Sequence, residues 1–451
     1  VVSASGQITD SGVLSVTGTS SFTTTSGGSS ILLDSASTFG IPSGKTVNLR
    51  TDGTGSAQVT GVLGNLLLGS VLVGGSLTAG ASGSILGVSG STITVAGPAS
   101  FTAGVGLDLQ TLAVTGPLLV NAPGDVVLIN SLATNMGSSS VGGNLSITSL
   151  GDLTDSGPLV VTGTTLLNAN GNIVLDDPNN ELQDQVTVSS ASDLTLSNKA
   201  AHAGDTLFPI LPVGLNNLTL NFSNSDLEVP ELSIGGNLNL TASGRNVTQT
   251  GALQVGGTGT SSISAATVTF SQNSFFGGDL QVIANTALPA TPIQQTGGIL
   301  TISGTSTFRA ADGRSISLGQ AGNNFGGTVA FASLGVGNLQ NVTVTDSTLL
   351  TLAGLTLNGN LTATGEGITQ AGDFIIGQNA IFDGGNGSIT LDRNLNQFLG
   401  SISVTQAGSL SLVNQGSLSL ADFTAFNVTG SVDLTSLKGA CLLYTSPSPR
   451  D

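Results

Sequence analysis

Four acidic side chains, Asp176, Asp177, Glu181 and Asp184, fall between positions 176 and 184. Carboxylates this close can serve as general acid and base on a glycosidic bond. Together with amide oxygens at a tight turn, they can also ligate Ca²⁺. Polysaccharide-cleaving sites of that kind want an Arg or Lys beside the acids, and the nearest basic residue is Lys199, in a segment that reads as a loop. The plainer reading is solvated acids at a turn of a repeat, with Ca²⁺ binding the alternative these residues leave open. A Ser-His-Asp site fails on inventory, because His202 is the sole histidine and Cys441 the sole cysteine. Gly384-Gly385-Asn386-Gly387 begins like a Ca²⁺-binding nonapeptide, but Ile389 stands where that motif needs Asp, and no tandem copy follows. Met136 reads as a core filler. No catalytic, cofactor-binding or metal-binding residue is assigned, and the expectation is a protein that is not an enzyme and carries no cofactor.

The composition narrows the partners. Charged residues make up 8% of the 451, against roughly 25% in ordinary soluble domains; 65 glycines and many Ser, Thr and Asn fill the polar positions. A hydrophobic fraction of 39% is too high for a disordered chain. The uncharged stretch from Gly53 to Leu107 is interrupted every few residues by Gly, Ser or Thr, so no transmembrane helix and no membrane insertion are expected. A net charge of −17 opposes nucleic acid and anionic lipid. Sixteen Phe, one Tyr and no Trp leave little for stacking platforms, and the Phe residues read as core.

Elements able to position anything are short. Apolar-polar-apolar triplets recur, among them Leu194-Thr195-Leu196, Leu218-Thr219-Leu220, Ile316-Ser317-Leu318, Val342-Thr343-Val344 and Leu410-Ser411-Leu412. Each is the mark of a half-buried strand, and the Gly, Asn, Asp and Ser between them make turns. Longer phrases lie above the triplets. Ile8-Thr9-Asp10-Ser11-Gly12 returns as Leu153-Thr154-Asp155-Ser156-Gly157, Val247-Thr248-Gln249-Thr250-Gly251 and Ile368-Thr369-Gln370-Ala371-Gly372. A second phrase ends in Phe22, Phe101 and Phe308, and a third runs Asn324-Phe325-Gly326-Gly327, echoed at Phe39-Gly40, Phe276-Gly277-Gly278 and Gln397-Phe398-Leu399-Gly400.

Strands this short can bury an apolar face only by stacking on copies of themselves. The predicted fold is therefore all-β, a right-handed parallel β-helix (solenoid) of about 20 residues per coil. Residues 1–198 and 218–440 form the β-helix repeats, with 199–217, which hold Pro209, Pro212 and His202, as a loop excursion. Phe22, Phe101 and Phe308 are expected to stack along the axis. Residues 441–451 abandon the pattern and resemble an in-frame translation of a sequencing adapter, so they are excluded from fold reasoning and the natural chain is read as a truncated internal fragment ending at Ala440.

Phrases such as Gly359-Asn360-Leu361-Thr362-Ala363-Thr364-Gly365-Glu366-Gly367-Ile368-Thr369-Gln370 resemble the repeats of filamentous-haemagglutinin-type adhesins, a style shared by autotransporter passengers. The resemblance covers most of the chain. It implies a secreted or bacterial cell-surface adhesive fibre, exported through an outer-membrane transporter by two-partner secretion or as an autotransporter. Its implied role is attachment to host-cell or surface glycans or proteins. The alternative on the same scaffold is a β-helical polysaccharide-binding or polysaccharide-degrading protein. Sequons at Asn217, Asn246, Asn341 and Asn427 add glycosylation as an expectation.

Overall fold

The computed structural model describes residues 1–39, 45–201 and 208–438, and the chain divides into two compact units, Val1–Ser225 and Asp226–Asp451. His202, Gly40 and the tail with Cys441 lie outside the described residues. Each unit is an all-β parallel solenoid, with about 21 residues per coil. Among the described residues the sole helical element is a 3₁₀ turn, Leu420–Asp422, and no helix is long and apolar enough to cross a membrane.

A coil is three short strands joined by tight corners. In the first unit Thr134–Met136, Ser139–Val141 and Leu145–Ser149 are followed by Leu153–Asp155, Leu159–Val161 and Thr165–Ala169, and the two sets pair in parallel, member by member. In the second unit Leu355–Leu357, Leu361–Thr364 and Ile368–Gln370 pair in the same way with Phe374–Ile376, Ala380–Asp383 and Ser388–Leu391. The coil length is visible in the register: Val126 lies beside Leu145, Leu145 beside Thr165 and Thr165 beside Val186. All three walls close on one apolar interior, because alternate side chains of a strand face opposite sides. Leu145, Ile147, Leu167 and Ala169 are at most 1% exposed. Full burial of a Leu or Ile contributes about 1.5–3 kcal/mol, and the triplet repeats that gain coil after coil.

The aromatic residues form local pairs and not the continuous axial stack expected. Phe22 meets Phe39 edge-on at 6.2 Å, Phe308 stacks on Phe331 at 5.7 Å, and Phe382 meets Phe398 at 6.0 Å. Phe101 lies in register between Ala79 and Val120, with no ring on either side. The second phrase recurs at intervals of several coils, and only side chains one coil apart can touch.

Of the 199–217 segment, residues 202–207 lie outside the described set. Its remaining residues rejoin the coil: Ile210 bridges Thr187 in parallel, its N–H donating to Val186 O at 2.9 Å, and Leu215 is 1% exposed.

Candidate functional site

Asp176, Asp177, Glu181 and Asp184 do not converge. Asp177 Oδ1 accepts from the Asn179 N–H at 2.8 Å, and Asp184 Oδ1 from the Gln185 N–H at 2.7 Å, so both cap their own turns. Glu181 accepts from the Gln183 amide at 3.0 Å and lies 3.8 Å from Lys199 Nζ. That ion pair is over a third exposed on the lysine side, where such contacts contribute little. Among the described residues no three Asp, Glu, His or Cys side chains gather as metal ligands.

The side chain that organises this turn is Asp155, one coil earlier. Its carboxylate accepts from the Asp176 N–H at 3.1 Å, the Asp177 N–H at 3.3 Å and Asn180 Nδ2 at 2.6 Å. Partial burial pushes the Asp155 carboxyl above its ordinary range, and the Asn180 amide pulls the other way.

Asp155 is the third residue of the Leu-Thr-Asp-Ser-Gly phrase, and every copy of that residue reaches into the next coil. Asp10 accepts from the Asp34 and Ser35 N–H groups, and Gln249 Oε1 from those of Ser271 and Gln272. Gln370 and Asn396 exchange two amide hydrogen bonds, both at 2.8 Å. Gln295 and Asn323 do the same at 2.7 and 2.8 Å. Asn323 and Asn396 sit two residues before Phe325 and Phe398, so the first and third phrases of the sequence are two halves of one clamp. Each clamp Asn also accepts a strand N–H: Asn180 from Leu159, Asn323 from Leu300, Asn396 from Phe374, at 2.7–2.9 Å. These asparagines are at most 1% exposed. A buried amide is tolerated there because nearly all of its donors and acceptors are met.

A further polar residue, from the following coil, closes the strand that comes after each clamp Asn. Asn198 receives the Leu182 N–H at 3.0 Å and Asn414 the Phe398 N–H at 3.1 Å. In the same role toward Phe325 stands Asp346, at 3.4 Å, which also accepts the Thr348 N–H and hydroxyl. Asp346 is 2% exposed, and that burial pushes its carboxyl upward against the lowering effect of the Thr348 and Phe325 donors. Asp312, on the surface, is held below its ordinary range by the Ser333 hydroxyl and the Gly335 and Gly337 N–H groups.

Outside, a second ladder runs along one corner. Asn341 accepts from the Asn360 N–H at 2.8 Å, Asn360 from that of Asn379 at 3.0 Å, and Asn379 from that of Ser401 at 3.2 Å. All four sequon asparagines are engaged with a neighbouring coil: Asn341 here, Asn217 donating to Asp193 at 3.0 Å, Asn246 accepting the Thr267 hydroxyl at 2.7 Å and Asn427 donating to Thr405 O at 3.0 Å.

One wall of the second unit departs from this pattern. Leu232–Ile234, Leu253–Val255, Ser274–Phe276 and Leu300–Ile302 pair in parallel and place Ser233, Gln254, Phe275 and Thr301 in one outward row. At the adjoining corner Glu231, Ala252, Asn273 and Ile299 form a second row, and the small Ala252 leaves a groove of about 460 Å³ between the two. Phe276 is fully buried while Phe275 faces out, half-buried in the groove. Here the expectation that phenylalanines are core does not hold, because in a Phe-Phe pair on a strand only one ring can point inward. Asn273 Oδ1 accepts the Ile299 N–H at 2.9 Å. The side chains of Glu231 and Gln254 and the Asn273 Nδ2 group form no hydrogen bond or ion pair with other described residues.

Comparison with known families gives a match over residues 1–42, 123–189, 215–282, 262–332 and 339–405 to a family described as repeats of unknown function, DUF5649. No curated protein and no solved structure matches the chain.

Proposed function

From the premise that the chain belongs to this repeat family, we propose that it is a segment of a secreted or bacterial cell-surface β-helical fibre that mediates attachment and does no catalysis. The observation that supports this reading is where the polar chemistry goes. Asp155, Gln249, Gln295, Gln370 and their partners are consumed in coil-to-coil hydrogen bonds, and the acids that could have formed a catalytic pair cap turns. The outward side chains of the walls are mainly hydroxyl and amide, a surface suited to contact over area. The finer assignment, a filamentous-haemagglutinin-type or autotransporter-passenger adhesin passing an outer-membrane transporter, rests on the resemblance of the repeat phrases. Its partners are host-cell or surface glycans or proteins, with no role for nucleic acid at a net charge of −17.

The test is direct. Inert beads carrying the full chain are scored for retention on epithelial layers and on mineral and polymer surfaces, beside beads carrying an unrelated protein of similar net charge. Retention several times that of the control is expected; equality on every surface overturns the proposal.

A further inference from the structure

We propose that the groove between the Ser233–Gln254–Phe275–Thr301 row and the Glu231–Ala252–Asn273–Ile299 corner binds a neutral polysaccharide chain, with Phe275 as its stacking platform. The inference rests on the attachment reading for its use, but the chemistry stands on the groove itself.

Twelve of the sixteen phenylalanines are buried. Phe275 instead occupies a position where its in-register neighbours are Gln254 and Thr301. A pyranose ring offers an apolar C–H face and a rim of hydroxyls. An aromatic face accepts the first, and a few convergent polar groups orient the second. The groove supplies both: Gln254 can donate and accept, Asn273 Nδ2 can donate, and Glu231 can accept from two hydroxyls. Their availability sets this wall apart, since the Asn residues of the corner ladder are engaged with the next coil.

The dimensions suit a linear ligand. The two rows run along the solenoid axis across four coils, and three steps of about 4.8 Å make a track of roughly 14 Å. A volume of about 460 Å³ falls within the range of small-molecule sites, roughly 300–1,000 Å³. Charge selects within the sugars, because Glu231 and a net charge of −17 repel uronates and sulfated chains. A peptide adding as a strand has no place here: Leu253–Val255 and Ser274–Phe276 are each paired on both sides, so no backbone edge is open.

The full chain is run by affinity electrophoresis through gels containing a β-1,4-glucan, a β-1,3-glucan, a galactomannan or an α-1,4-glucan, with polygalacturonate in parallel. Retardation by at least one neutral polymer is expected, with apparent affinity falling at least tenfold in Phe275→Ala and unchanged in Phe426→Ala, an exposed ring outside the groove. Amide exchange of the wild-type chain with the matching oligosaccharide, needing no variant, should slow across 252–276. The proposal is overturned by retardation in none of the neutral gels, by an unaltered Phe275→Ala, by preference for polygalacturonate, or by protection elsewhere. Beads that adhere equally with and without Phe275 would remove the groove and leave attachment standing.

Discussion

Replacing Asn396 by Ala tests the clamp most severely. The side chain is fully buried and takes part in four hydrogen bonds: two with Gln370, one from the Phe374 N–H and one to Leu391 O. Truncation strands the Phe374 N–H, the Leu391 carbonyl and the Gln370 Oε1 in the interior. A stranded buried group costs roughly 1–3 kcal/mol, and three of them, taken toward the low end, amount to about 3–5 kcal/mol. Gln370→Ala should cost less, about 1–2 kcal/mol, because Asn396 then keeps its bonds to Phe374 and Leu391. The assay is native-state hydrogen exchange read residue by residue, since stacked coils interact with their neighbours and need not unfold in one step. In Asn396→Ala the Phe374 amide should exchange about a hundredfold to a few thousandfold faster, the factor that 3–5 kcal/mol implies. An unaltered Phe374 amide, or a Gln370→Ala effect as large as that of Asn396→Ala, would refute the assignment of the asparagine as the centre of the clamp.

Single residues carry the other predictions. Asp346 is held above its ordinary value of 3.8 by burial, so the folded state binds its proton more tightly than the unfolded one. Its coil should lose stability as pH rises from about 4 through the raised value, and Asp346→Asn, which keeps an acceptor for Thr348, should abolish that slope in exchange measurements between pH 4 and 7. Asp312, with a lowered value, acts with the opposite sign and in a more acidic window, losing its contribution as pH falls below about 4. Gly298 adopts φ +66°, and a Cβ there would stand 2.1 Å from the Gln272 carbonyl carbon. Gly298→Ala should cost about 2 kcal/mol or more by exchange or denaturant titration, while Gly12→Ala, with nothing within 4 Å, should be near neutral.

The division between sequence and tertiary structure runs through these same residues. The triplets around Leu194, Ile316 and Val342 alternate with period two and recur between turns, and that alone requires short strands with one buried face. Short strands of one chain bury such a face by stacking, so the parallel solenoid and its coil length were legible in the residues alone. The Ile-Thr-Gln and Asn-Phe-Gly phrases were visible too, as repeated strings. Their meaning was not. Gln370 and Asn396 are 26 positions apart, and nothing local states that one side chain ends within 2.8 Å of the other. That depends on the exact length of the coil between them, to which each turn adds or removes a residue. Residue type marked Asp176 and Asp177 as acids at a turn, and only the register shows that their N–H groups are donors to Asp155. Phe275 and Phe276 are chemically identical neighbours, and only the pairing of their strand with Leu253–Val255 and Leu300–Ile302 decides which ring joins the core and which is left facing the groove.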